Sequence, residues 1–156
     1  RRIQTQDLSM AISDFRFSFL IRVRYSEIVC QSIVFNAHYL TYFDTALTEY
    51  MRHLGYDYNA QVREENSDFH TVKTLVEYKS PIHLDEEIDV HVRAARLGRS
   101  SLSFQVEIHG HDKDDLRATG EIVWVNADQA THTSAPLPDQ LIALLTEFEG
   151  AQIAAA

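Results

Sequence analysis

Cysteine is nearly absent. Cys30 is the one thiol in 156 residues, which excludes an internal disulfide and is consistent with a reducing, cytoplasmic setting. Basic residues are scarce as well: 14 Lys and Arg stand against 23 Asp and Glu, a net charge of −9. That balance argues against nucleic acid or an anionic membrane as the main partner, while a local basic patch still admits an anionic ligand. No apolar run approaches the ~18 residues needed to span a bilayer. There is no internal repeat, linker or low-complexity segment. What is present suffices for one packed domain, since 45% of the residues are apolar and the length suits a single core. The stretch Arg1-Arg2-Ile3-Gln4 has no initiator Met and no apolar signal core behind it. Residues 1–13 therefore read as a flexible leader, 14–150 as the domain, and 151–156, ending Ala154-Ala155-Ala156, as a loose tail.

Phe15, Phe17, Leu20 and Val23 mark an extended run ending near Tyr25. Its imperfect alternation reads as a strand buried on both faces. A helix follows over residues 36–54, where Tyr39, Phe43, Ala46, Leu47, Tyr50, Met51 and Leu54 recur at three- and four-residue spacing. Asn36 suits its N-cap and Gly55 its stop. Nineteen residues make a rod of roughly 28 Å, and its large aromatic face needs a sheet to cover it. Four strand-like runs come next, over 69–79, 88–97, 101–109 and 117–125. Short turns at 81–85, Gly98 and 110–115 join them, which implies antiparallel neighbours. Pro136 and Pro138 precede a last amphipathic helix, Asp139 to Phe148. The order is strand, long helix, four strands, short helix: an α+β layout with a sheet on one helix.

The stretch from Val23 to Asp44, with the phrases Val76-Glu77-Tyr78-Lys79-Ser80-Pro81 and Arg96-Leu97-Gly98-Arg99-Ser100-Ser101-Leu102, resembles the hotdog-fold acyl-CoA thioesterases of the 4-hydroxybenzoyl-CoA type. The resemblance implies a curled antiparallel sheet of about five strands wrapped around one long central helix. It implies dimers, or tetramers built from two dimers, in which sheets join edge to edge and sites lie between subunits. In the family, the first strand is followed by an acidic residue, an Asp two positions on, a Gly, two apolar residues and a Tyr- or Asn-rich helix start. Glu27 matches the first acid. Val29 replaces the Asp that serves as base or nucleophile, and Ser32 replaces the Gly. Gln31, Asn36, Ala37 and Tyr39 match common versions, and His38 stands where Asn is frequent.

The resemblance makes the helix start the candidate catalytic corner. Backbone N–H groups and positive dipole character gather there. Aimed at a thioester oxygen, the amides of Asn36, Ala37 and His38 polarise the carbonyl and hold an oxyanion. The alternative is an ordinary capped helix end. Val29 cannot accept a proton, so another group must activate water. Glu27 lies two residues away, on the same face of an extended chain, and is a candidate general base, against a structural role in the turn. His38 is another candidate, being able to titrate near neutrality. Gln31, Asp44 and Glu49 are supporting candidates: Asp44 reads as a structural hydrogen-bonding group, and Glu49 as a solvated helix residue or a weaker catalytic carboxylate. Lys79, Arg96, Arg99 and Ser100 are candidates for binding the coenzyme A moiety, because Arg and Lys suit its phosphates; Lys73 and Arg93 belong to the same basic group.

His109-Gly110-His111 reads as a polar turn rather than a metal site, since no third ligand is evident. Cys30 reads as a buried small hydrophobe rather than a nucleophile. No resident cofactor or metal is expected; coenzyme A or phosphopantetheine belongs to the substrate. The leading reading is hydrolysis of an acyl thioester carried by coenzyme A or an acyl carrier protein. The alternative is a non-catalytic acyl-thioester-binding or assembly protein of the same fold. A dehydratase has less support, because no suitable His and acid pair stands out.

Overall fold

The computed structural model describes residues 12–155. The strands are β1 (Phe17–Arg22), β2 (Ser67–Tyr78), β3 (Glu87–Leu97), β4 (Ser101–Gly110) and β5 (Leu116–Asp128). The helices are α1 (His38–His53), a short α2 (Tyr58–Ala60) that runs into a π turn, and α3 (Asp139–Glu149). The aromatic and aliphatic positions of α1 read from sequence, Tyr39, Phe43, Ala46, Leu47, Tyr50 and Met51, are buried, and so is Tyr42, which the spacing did not single out. Gly55 ends the helix at φ 75, a left-handed stop that costs a glycine little. The N-terminus differs from expectation. Asn36 does not cap it; Ala37 occupies the cap position in helical geometry with no side-chain cap bond.

The strand order is β1-β3-β4-β5-β2, and all four neighbouring pairs are antiparallel. The short link after β2 suggested that β2 would pair with β3. It pairs with β5 instead. The reason lies in the link itself, which leaves the sheet and passes the loop before α1. The Val34 amide donates to the Ile82 carbonyl at 2.8 Å, and Ile33 bridges to His83. This crossing delivers β3 beside β1 and leaves β2 at the far edge. β1 is also an edge strand, half-buried on one face and exposed on the other, not buried on both. Ala154–Ala155, in the expected tail, form a strand, β6, parallel to β3 at Arg96 and Leu97. Ile12 and Ser13, expected in the leader, form a 3-10 turn with Asp14. The rest of the leader, residues 1–11, and Ala156 lie outside the described residues.

The inner rows of the central strands are sealed against α1. Ile88, Val90, Val92 and Ala94 of β3 are fully buried, as are Leu102, Phe104 and Ile108 of β4. Alternation at period two puts these side chains on one face. At the helix–sheet contact, β5 carries Gly120, where a Cβ would lie 2.3 Å from Phe43 Cε2. The glycine therefore sets how closely α1 approaches the sheet. Beyond the start of β1, the Ala94 amide of β3 has no strand partner on that edge. Glu149 takes its place, accepting from the Ala94 amide at 3.1 Å and from the Tyr50 hydroxyl at 2.6 Å through one oxygen. This ties α3 to both the sheet and α1.

Candidate functional site

The chain between β1 and α1 folds as a small cage. Residues Tyr25–Glu27 form a 3-10 turn, and Ile28 bridges to Val34. The loop between them closes with the Ser32 amide on the Val29 carbonyl at 2.9 Å. Ser32 sits at φ 58, the left-handed region that favours glycine, which explains the glycine in the resembling family. Cys30 and Gln31 are exposed at the tip of this loop. Cys30 is therefore not the buried hydrophobe expected, because the loop projects from the core.

Glu27 does not share a face with Val29, because the 3-10 turn replaces the extended chain that the expectation required. Its carboxylate is 4% exposed and holds the turn together. One oxygen accepts from the Arg24 amide at 2.7 Å and the Tyr42 hydroxyl at 3.0 Å; the other accepts from the Arg24 guanidinium at 3.0 and 3.2 Å. Burial pushes this carboxyl up, but bonds from the Arg24 amide, its guanidinium and Tyr42 outweigh that and hold it below the usual range. A carboxylate held in this way is a weak base. Val29, by contrast, lines an open cleft of about 450 Å³ with Phe35, Asn36, Tyr39, Tyr78 and Lys79.

At the floor of this cleft the chain enters α1. The His38 amide is spent on the Phe35 carbonyl at 2.9 Å, and those of Tyr39 and Leu40 on the carbonyls of Asn36 and Ala37 at 3.3 Å each. Among the described residues, no acceptor takes the amides of Asn36 or Ala37. Two of the three expected oxyanion donors are thus available, and the third, His38, is not. The His38 ring packs edge-on to Phe35 with centroids 5.9 Å apart. Tyr78 closes the opposite wall. Its hydroxyl donates to the Asn36 carbonyl at 3.1 Å, and its ring meets Tyr39 edge-on at 4.8 Å. Tyr78 is not among the expected site residues, and its place inside the phrase Val76 to Pro81 is the signal the sequence offers.

The expected coenzyme-binding set is split. Lys79 stands in the cleft wall, 3.0 Å from Glu77. Arg96, Arg99 and Ser100 lie at the β3–β4 turn, where the carbonyls of Arg99 and Ser100 accept from Leu137 and Asn126. Ser101 pairs with Val125, whereas Ile108 and Tyr78 both pair with Ala118. Seven residues of strand separate the two ends, or ~23 Å. A single chain does not bring these residues together.

Asp44 is exposed rather than buried, and its carboxylate has no bonding partner among the described residues; the structural hydrogen bond expected of it is not formed. It lines a second cleft of about 620 Å³ with Thr48, Tyr56, Phe69 and Trp124. One wall of that cleft is a stacked row, Tyr58 on Phe69 at 6.4 Å and Phe69 on Trp124 at 5.4 Å. Glu49 pairs with Arg52 one turn on. His109 is 2% exposed, not part of a polar turn. Its Nδ1 accepts from the Asp115 amide at 3.0 Å while Nε2 faces Glu107 at 3.0 Å. That pattern is the neutral tautomer protonated on Nε2. His111 is held by carboxylates at both nitrogens, Asp89 at 2.9 Å and Asp112 at 3.2 Å. The hydrogen bond to Asp89, first, and the surrounding carboxylates hold its pKa up. Asp89, His111 and Asp112 lie near enough to share an ion, with both ring nitrogens of His111 already facing carboxylates.

Known proteins bear on this geometry. Acyl-CoA thioester hydrolase YbgC of Escherichia coli O6:H1 is 26% identical over 127 residues, 81% of this chain and 93% of that protein. Acyl-CoA thioesterase YbgC of Haemophilus influenzae is 27% identical over 124 residues, 79% of this chain and 90% of that one. The crystal structure of Slr0204, a 1,4-dihydroxy-2-naphthoyl-CoA thioesterase from Synechocystis, superposes with a TM-score of 0.79 at 14% identity, covering 84% of this chain and 96% of its own. That likeness is one of fold, and the fold is the hotdog. The sequence profile of the thioesterase-like superfamily matches residues 30–145, which span the loop tip, the helix start, the whole sheet from β2 to β5 and most of α3. The chain belongs to the thioesterase-like superfamily.

Proposed function

We propose that this protein hydrolyses acyl thioesters of coenzyme A or of an acyl carrier protein, in the cytoplasm and without a resident cofactor. The observation that carries the reading is the pair of unspent amides, Asn36 and Ala37, at the helix start where Asn36 lines an apolar cleft. A thioester carbonyl laid against them gains two donors at the oxygen where charge develops, an effect worth about 10²–10³ in rate per donor. Water adds to the carbonyl carbon, the C–S bond breaks, and the products are a carboxylic acid and a free thiol. The YbgC proteins act on acyl-CoA by their names, which supports the same class here. Polarisation, not a carboxylate base, carries the rate: Val29 has no proton acceptor and Glu27 is committed to Arg24 and Tyr42. His38, whose ring packs on the cleft residue Phe35, is the candidate to take the proton of water.

Arg96, Arg99 and Ser100 reach the same substrate only from a second copy. β2 supplies the edge for one: it is a 12-residue strand paired on one side, with Val72 59%, Leu75 44% and Tyr78 51% exposed. An open apolar edge of that length calls for a partner strand, and a dimer provides it.

The second reading, a binding protein without turnover, is favoured by one observation: no carboxylate lines the 450 Å³ cleft. A panel of acetyl-, hexanoyl- and benzoyl-CoA with free thiol measured separates the two. Turnover above the uncatalysed rate, lost in Asn36→Pro and kept in Asn36→Ala, supports hydrolysis through the backbone amide, because proline removes the donor. Binding of all three with no thiol release establishes the binding protein.

A further inference from the structure

We propose that Tyr78 is a positioning residue that aims and strengthens the oxyanion donor of Ala37; this rests on the thioesterase reading above. The argument is one of peptide geometry. The Asn36 carbonyl and the Ala37 N–H belong to the same planar peptide unit. Fixing one end fixes the direction of the other. The Asn36 carbonyl accepts the Tyr39 amide at 3.3 Å, a long bond within the first turn of the helix. It also accepts the Tyr78 hydroxyl at 3.1 Å, which comes from the sheet, 42 residues away. The ring of Tyr78 is in turn held edge-on against Tyr39 at 4.8 Å, and Tyr39 is 4% exposed. Tyr78, half-exposed but braced on the buried Tyr39 ring, therefore clamps the peptide that joins Asn36, a residue of the cleft wall, to Ala37.

The clamp acts on strength as well as direction. Hydrogen bonds accepted at a carbonyl polarise the whole amide, and the N–H of that amide becomes a better donor. No side-chain cap does this at the helix start. Ala37 lacks a side-chain cap, and the side chain of Asn36 takes no part. The clamp also explains why the second expected donor, Asn36 N–H, differs from the first: its peptide partner is the Phe35 carbonyl, which accepts the His38 amide at 2.9 Å. Both donor peptides thus have loaded carbonyls, that of Phe35 from the helix start alone and that of Asn36 from the helix start and from Tyr78. Because β2 is the unpaired edge of the sheet, the position of Tyr78, and through it the oxyanion floor, responds to whatever covers that edge.

Tyr78→Phe keeps the ring and removes the donor. In wild type and variant, kcat and KM are measured on the fastest of the three coenzyme A thioesters, with thermal melting as a control of fold. The expected result is a fall in kcat of about tenfold, less than removal of a donor outright, with KM within twofold and the melting curve unchanged. Tyr78→Leu, which also removes the contact with Tyr39, lowers kcat further. The ¹⁵N resonance of Ala37, which reports hydrogen bonding at the preceding carbonyl, shifts upfield in Tyr78→Phe without any substrate. An unmoved Ala37 resonance, or equal kcat in the two folded proteins, overturns the inference and leaves the thioesterase reading standing. A wild type that releases no thiol overturns that reading, and the catalytic role of Tyr78 falls with it.

Discussion

Glu27 and Val29 are two residues apart and have different environments. Glu27 is enclosed by Arg24 and Tyr42, and Val29 lines the cleft. Glu27→Gln removes the charge-assisted bonds and places an amide donor against two donors. It is expected to lower stability by about 1–3 kcal/mol, read by urea unfolding, while the folded variant keeps kcat near the wild-type value. A hundredfold loss of kcat at unchanged stability would restore Glu27 as the base. The same carboxyl has a pH consequence. Glu27 is held below its usual range by its bonds against the upward push of burial, and Asp115 is held low chiefly by the Arg117 guanidinium. Groups lowered in the folded state stabilise it above the unfolded carboxyl range, about pH 4–4.5. That stability is lost as pH falls through the folded values. Urea midpoints are expected to decline below that range, and less steeply in Glu27→Gln. Val29→Asp places a carboxylate in the cleft wall, where Val29 is 36% exposed, solvated enough to stay ionised. It is expected to raise kcat by ~10²-fold, the usual worth of a general base; an unchanged kcat would show that position 29 does not face the attacked carbon.

At the scale of elements, the contact of α1 with the sheet turns on Gly120. A methyl there meets the Phe43 ring, which is fully buried. Gly120→Ala is expected to cost about 1–3 kcal/mol, the usual range for overpacking, measured by urea midpoint. Phe43→Leu in the same chain should recover part of it by making room. The α1 pattern was legible because its apolar spacing is long and regular. Its first turn was not, because Asn36 is a good cap by type, and only the fold shows its carbonyl engaged by β2 and its side chain idle. The link between β2 and β3 misled for a related reason. It is short enough for neighbours, yet its residues pair with the loop before α1.

The whole molecule presents the β2 edge, with Val72, Leu75 and Tyr78 exposed, close to the cleft that Tyr78 lines. Covering that edge with a second copy accounts for its apolar character. In the dimer proposed above, the split set, Lys79 against Arg96, Arg99 and Ser100, would meet one substrate from two chains. Light scattering at micromolar concentration is expected to give a dimer or a tetramer. Val72→Lys, which charges the unpaired edge, is expected to shift the mass toward a monomer and to raise KM for acyl-CoA more than it lowers kcat. A monomeric mass for the wild type would remove this arrangement.

Composition and periodicity determined much by themselves: one core, one long helix with an aromatic face and strands with sealed inner rows; the family came from the resemblance of the Val23 to Asp44 stretch. These follow from local properties, the spacing of apolar side chains and the residues around a turn, which any fold must respect. The tertiary structure decided the rest. Glu27 became a strut because a 3-10 turn brought it to Tyr42, a residue 15 positions away. His38 lost its amide as a donor to a carbonyl three residues back. Ser32 took a left-handed backbone that its side chain does not announce. The basic residues of β2 and of the β3–β4 turn, near one another as a composition, separated by ~23 Å of strand. Each outcome depends on which distant groups the sheet and helix bring together, and that is settled by packing and strand order rather than by the residue type at the position.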